Sequence, residues 1–396
     1  MTDALSRIGL RRMTGRDPDE SHRVATPLEL LFDLVFVVAV SQASQNLHHL
    51  ISDGHVGQGV LSYLMVFFAI WWAWMNFTWF ASAFDTDDWL YRVMTIVQMA
   101  GVLVLAAGVH AAMVDLDYLT VTWGYVLMRL AMVGQWLRAA ASDPASRPTA
   151  VRFAVGITFV QVLWVARMYL LDETAQFWSF FVLVAAEFIV PVWAESRRRT
   201  SWHPVHIAER FGLFTLLLLG ESLLASSNAM IDALGEGEQI PQLLGLAASG
   251  IVVTAGIWWL YFAREQHGRL RSLRAGFTFG YLHYVIFAAA GAVSSGVEVE
   301  IDEITGHTEI AHATAGLSLT LPIALFVLSA WAILLQPTLS RAASAVVVVA
   351  AGLIAASGLL PVGEYAVSAL LLSGIVVVLE VAAVKDSIPA GPARTP

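Results

Sequence analysis

The sequence contains no cysteine. That excludes disulfides, thiol nucleophiles and cysteine metal sites. Charge is scarce as well: 13% of residues are charged, against roughly 25% in soluble domains. Soluble catalytic signatures are missing. There is no glycine loop with a lysine to cradle phosphate, no pair of metal histidines at helical spacing and no Ser-His-Asp order. Gly220-Glu-Ser-Leu-Leu224 lacks the residues and the strand–turn–helix setting of a nucleophile elbow. The basic stretch 7–16 leads into Asp-Pro-Asp-Glu rather than an apolar core, so no cleavable signal is expected. No catalytic residue, metal, cofactor or nucleic-acid partner is expected.

Apolar sequence fills the space. Hydrophobic residues make up 58% of the chain, mean hydropathy is +0.69, and long apolar runs recur almost throughout. The pattern predicts an all-α integral membrane protein. About twelve transmembrane segments can be drawn, at 27–50, 58–83, 90–114, 118–140, 149–172, 175–194, 206–231, 242–263, 276–297, 310–335, 341–361 and 363–384. Most reach the ~20 residues that cross ~30 Å of hydrocarbon.

The charges fit that count. With the N-terminus in the cytoplasm, all basic residues but Arg129, Arg167 and Arg210 fall in cytoplasmic segments, from Arg7 and Arg23 through Arg269 and Arg271 to Lys385 and Arg394. The opposite loops carry acids instead, among them Asp115, Asp172, Glu236, Glu238 and Glu298 to Glu309. This positive-inside pattern places both termini in the cytoplasm. The acidic loop 298–309 is either a cation-gathering surface or simply solvated.

The chain also looks duplicated. Glu29-Leu-Leu-Phe32 and Glu209-Arg-Phe-Gly212 are 180 residues apart, and Ala69-Ile-Trp-Trp72 and Gly256-Ile-Trp-Trp259 are 187 apart. Six helices per half is even, so the repeats would run parallel. The expected organisation is a tail at 1–24, six-helix repeats at 25–200 and 201–385, and a tail at 386–396.

Polar groups inside the apolar runs are the candidate site residues. Thr26, Pro27 and Glu29 form a helix start with a capping box. At ~100° per residue, Glu29, Asp33, Ser44 and His48 share one broad face, with Ser41 at its edge. In the seventh segment Arg210, Glu221 and Asn228 share a face. Glu221 lies near mid-span, and Gly220 beside it would admit a neighbouring backbone. Arg129 and Glu187 lie near the middle of their segments. A lone charge there costs from ~3 to ~10 kcal/mol, so partners are expected. Arg129 is expected to pair with Glu187 or Asp33, and Arg167 with another acid. Glu29, Glu209, Arg210 and Arg167 read as caps or structural ion pairs. His283 is either a proton relay or a satisfied buried histidine. His48, His49 and His55 read as interfacial polar residues rather than metal or proton ligands, and Trp71, Trp72, Trp74, Trp258 and Trp259 as interfacial or packing residues.

The stretch ELLFDLVFVVAVSQASQNL from Glu29 and the stretch AERFGLFTLLLLGES from Ala208 resemble the bacterial low temperature requirement protein A family. The two Trp pairs fit the same pattern. Leu31 stands where that family usually has the first of two phenylalanines before the aspartate. The resemblance implies a multi-spanning inner-membrane protein linked by name to growth in the cold. It brings no settled activity and no catalytic residues.

Three functions compete. A proton- or cation-linked transporter of a small solute would use Asp33, Glu221, Glu187, Arg129, Ser41, Ser44, Asn228 and His283. A channel is loosely similar at Phe32–Asp33 to potassium channels built from six-helix repeats, but Gly212–Leu213 in the second half lacks the aspartate. A non-transporting lipid-associated protein would use the polar stripes structurally. Membrane lipids are partners in all three, and a homo-oligomer fits each.

Overall fold

The structure is a computed structural model describing residues 9–17, 20, 24–236, 239–264, 268, 270 and 272–387. Arg7, Arg23, Glu238, Arg269, Arg271 and Arg394 lie outside the described residues, as do the side chains of Glu236 and Lys385. All regular structure among the described residues is helical. The elements are α1 (Pro27–Ser52), α2 (Val56–Phe84), α3 (Trp89–Ala107), α4 (Val109–Val114), α5 (Leu119–Ser142), α6 (Arg147–Leu170), α7 (Glu173–Glu195), α8 (Pro204–Glu236), α9 (Ile240–Phe262), α10 (Leu273–Thr305), α11 (His312–Ala330), α12 (Arg341–Ser357) and α13 (Glu364–Ser387). One π-helical turn, Trp331–Leu335, extends α11.

Ten of these are long and apolar enough to cross a membrane. By length and composition, two of the twelve expected segments, those at α5 and α12, fall outside these ten among the described residues. α5 carries Arg129, Gln135 and Arg138 and is less apolar than the ten, and α12 has only 17 residues. Large apolar side chains face outward along the spans, such as Phe159 and Leu370, 63% and 73% exposed. A soluble surface does not carry that much bare hydrocarbon.

The chain forms two compact units. The first holds Met1–Asn46, Leu61–Leu213 and the short stretch His267–Leu273. Within it α3 packs along α5, α5 against α6 and α6 against α7. α2 is its most enclosed span, with Trp71, Trp72, Trp74, Phe67, Phe77 and Phe84 fully buried. The second unit holds Leu47–Val60, Phe214–Gln266 and Arg274–Pro396. Within it α9 packs against α13, α13 against α12 and α12 against α11. α10 is enclosed there as α2 is in the first unit.

Two glycines do structural work that an alanine would not. A Cβ on Gly124 of α5 would lie 2.7 Å from the Gly101 carbonyl of α3, so these backbones touch directly. Lipid gives no hydrophobic drive between helices, and close backbone packing replaces it. Gly306 sits at φ +76°, ending α10 with the His307 N–H bonded back to the Asp302 carbonyl at 2.8 Å. The acidic stretch expected as a loop from Glu298 is thus the last turns of α10, up to Thr305. Gly220 is the opposite case: a Cβ there meets nothing within 4 Å, so the expected close approach is not made.

Asp88 caps the start of α3 outside the apolar spans. Its Oδ1 accepts from the Tyr91 N–H at 3.0 Å, its Oδ2 from the Arg11 N–H at 2.9 Å, and both oxygens take the Arg138 guanidinium. Burial opposes ionisation of this carboxyl, but Arg138 and the two N–H groups outweigh it and hold its pKa below the ordinary carboxylate value.

Two outcomes follow. Gly124→Ala lowers the thermal midpoint in detergent by the equivalent of about 1–3 kcal/mol, while Gly220→Ala leaves it unchanged. Asp88 is depressed in the folded state, so its stabilisation is complete above the unfolded-state pKa and is lost as pH falls through the folded-state value. Asp88→Asn therefore melts below wild type at neutral pH, and the gap closes on acidification.

Candidate functional site

The first unit contains a buried charge cluster built from two helix starts. Glu29 and Asp33 on α1, and His206 and Arg210 on α8, are each four residues apart, so each pair shares a face. The capping box forms as expected: the Thr26 N–H and hydroxyl donate to Glu29 Oε2 at 2.8 and 3.0 Å, and Thr26 Oγ1 accepts from the Glu29 N–H at 3.3 Å. The same glutamate meets Arg210 Nη1 at 3.0 Å and His206 Nε2 at 3.2 Å through Oε1. Arg210 grips Asp33 with two nitrogens, Nε to Oδ2 at 3.1 Å and Nη2 to Oδ1 at 2.5 Å. Trp74 of α2 donates its indole N–H to Asp33 Oδ1 at 2.6 Å. All four ionisable side chains are essentially inaccessible. Phe32 stacks on Phe77 at 3.9 Å, and Phe211 meets Trp74 edge-on, which seals the cluster in aromatic carbon.

A second buried cluster lies in the same unit. Glu187 of α7 accepts from Trp72 Nε1 at 2.8 Å, Tyr125 Oη at 2.9 Å and Arg129 Nη2 at 2.7 Å. Of the two expected partners for Arg129, it takes Glu187, since Asp33 is held by Arg210. Pro191 lacks the N–H that would bond the Glu187 main-chain carbonyl, so α7 is loosened where its carboxylate is most tightly held. Trp72 and Trp74, two residues apart, point roughly 200° apart on α2 and serve one carboxylate each. Of the two expected readings, interfacial or packing, they take the buried one and serve as donors as well. Their mid-helix position was the available signal, because a buried indole N–H needs an acceptor.

The remaining predicted residues are dispersed. Among the described residues Arg167 pairs with no acid: it donates to the Gln176 carbonyl at 2.6 Å and lies over the Trp164 ring. Glu209, beside Arg210, is half-buried. Ser44 is buried and Ser41 half-buried on α1.

In the second unit, Glu221 is half-buried and accepts no hydrogen bond among the described residues, and Asn228 is exposed. The face they share with Arg210 is therefore not a single site. His283 is fully buried and satisfied, with Nδ1 on the Phe279 carbonyl at 2.6 Å and Nε2 on Tyr261 Oη at 3.0 Å. His48 is not merely interfacial: Nδ1 meets Glu298 at 3.0 Å and Nε2 meets Asp302 at 2.6 Å. A cavity of about 340 Å³ opens between α8, α9 and α10, lined by apolar side chains and the hydroxyls of Ser222, Ser226, Ser227, Ser249 and Thr254.

Arg210→Met leaves Glu29 and Asp33 buried without a guanidinium and costs about 3–5 kcal/mol. It is expected to deplete folded protein in detergent. Adding Asp33→Asn to that variant recovers part of the loss, which melting and monodisperse yield will report.

A family model for the bacterial low temperature requirement A protein (LtrA) matches residues 24–384. An uncharacterized protein of Rhizobium meliloti (strain 1021) is 28% identical over 285 residues, covering 66% of this chain and 67% of that one. No solved structure matches the chain. The apolar helices and the extent of the match describe a multi-pass bacterial membrane protein. The chain belongs to the bacterial low temperature requirement A family.

Proposed function

We propose that the protein is a proton- or cation-linked transporter of a small, largely apolar solute in the bacterial inner membrane. The reading keeps both termini in the cytoplasm and the two halves, 25–200 and 201–385, as parallel repeats. The cavity of the second unit carries the proposal. Its volume, about 340 Å³, lies within the range of small-molecule sites, and an apolar wall with a few hydroxyls suits such a solute. Ser222 in its lining adjoins Glu221 near the middle of α8, the depth at which carriers bind their cargo. Asp33, by contrast, is closed off by Arg210 and Trp74, so its role in this scheme is to hold the first unit rigid.

That closure also favours a second reading, a non-transporting membrane protein whose cavity takes a lipid chain. Reconstituted liposomes separate the two. Under the transport reading, uptake from a panel of small amphiphilic solutes depends on an imposed proton or sodium gradient, and Glu221→Gln weakens that dependence. Gradient-independent exchange of lipid alone, or no flux across the panel, sinks the transport reading. Unitary currents at channel rates would replace it with a channel.

A further inference from the structure

The last turns of α10 carry Glu298, Glu300, Asp302 and Glu303. Three of them have bases as partners. Glu298 and Asp302 hold His48, and Glu303 meets His312 Nδ1 at 3.0 Å. Glu300 does not. It is completely buried, and neither of its oxygens accepts a hydrogen bond from a donor among the described residues. Its carboxyl lies within hydrogen-bonding reach of Glu364, in the first turn of α13. Glu364 is buried too, and the base near its Oε2 is His312, with Nε2 3.5 Å away on the partly exposed rim. Among the described residues no arginine or lysine forms an ion pair with either acid.

Two ionised carboxylates this close, away from water, repel strongly. One proton between them turns the repulsion into an O–H···O⁻ hydrogen bond. A metal ion fits less well, because no three His, Asp or Glu side chains among the described residues are arranged to hold one.

The pair also adjoins the cavity. Val293, Val297 and Glu300 are spaced by four and three residues, so they share one face of α10, and both valines line the cavity. Tyr365, next in the chain to Glu364, lines it as well and interacts electrostatically with both acids. The groups facing the pair are Glu303 from α10, His312 from α11 and Tyr365 from α13. The neighbouring set is His48 with Glu298 and Asp302.

We propose that Glu300 and Glu364 form a proton-binding site at the end of the second unit's cavity, with one proton held between the two carboxyls and exchanged as the cavity fills and empties. The coupling half of this statement rests on the transport reading; the proton site itself does not.

The test is infrared spectroscopy of the full-length protein in lipid bilayers, titrated with pH, alongside liposome flux with an entrapped pH-sensitive dye. Wild type shows a carboxylic-acid C=O band that persists at pH values where exposed carboxyls have ionised. Glu300→Gln and Glu364→Gln each remove it, and Glu298→Gln retains it. Absence of the band in wild type overturns the proposal however the variants fold. Its survival in either folded variant does the same. In flux, the two variants abolish solute-dependent proton movement. A band lost in the variants without any wild-type flux keeps the proton site and removes the carrier. Flux whose proton dependence survives both substitutions keeps the carrier and removes the site.

Discussion

A carboxylate surrounded by hydrocarbon must be met by donors, and the first unit is arranged around meeting that demand. Asp33 takes the fork of Arg210 and the indole of Trp74. Glu187 takes Arg129, Tyr125 and Trp72. Every donor comes from a helix other than the acceptor's. A buried ion pair of this kind adds little net stability, but each misplaced helix would leave a charge bare. The pairs therefore act on arrangement: α1 is tied to α8, and α5 to α7. α2 reaches both pairs because consecutive even positions point to opposite sides of a helix.

The second unit handles its charges differently. Four of its acids gather at one end of α10, and bases are in short supply there. His48 and His312 answer three of the carboxylates, while Glu300 faces another acid. Above that end lies open space walled by hydroxyls and apolar side chains. One unit thus has Asp33 and Glu187 met by fixed guanidinium groups, and the other has a buried carboxylate that meets no base among the described residues.

Much of this was legible in residue order. The capping box at Thr26, the apolar spans and the need of Arg129 for Glu187 or Asp33 follow from helical spacing and from the cost of lone charges in lipid. What spacing cannot give is which of several helices lies alongside. Asp33 and Arg210 are 177 positions apart, and nothing local distinguishes Arg210 from Arg129 as its partner. Glu221 and Asn228 were grouped with Arg210 because they share its helical face, but a face this long passes through several environments. The stretch from Glu298 looked like a loop because four acids in six positions are costly in a buried helix. His48, on a distant part of the chain, is what makes the helix affordable there. Composition leaves Trp72 and Trp74 open between interface and packing, and only the neighbouring helices show which carboxylate each buried indole serves.

The length of α10 has one more effect. Its 33 residues extend roughly 50 Å, against about 30 Å of acyl chain. Such excess is taken up by leaning over or by standing proud of the bilayer. Where the excess stands proud, the acidic end lies beyond the acyl chains, and a thicker lipid phase would bring it closer to them. The distance between Glu300 and the aqueous phase is then set by the bilayer as much as by the protein.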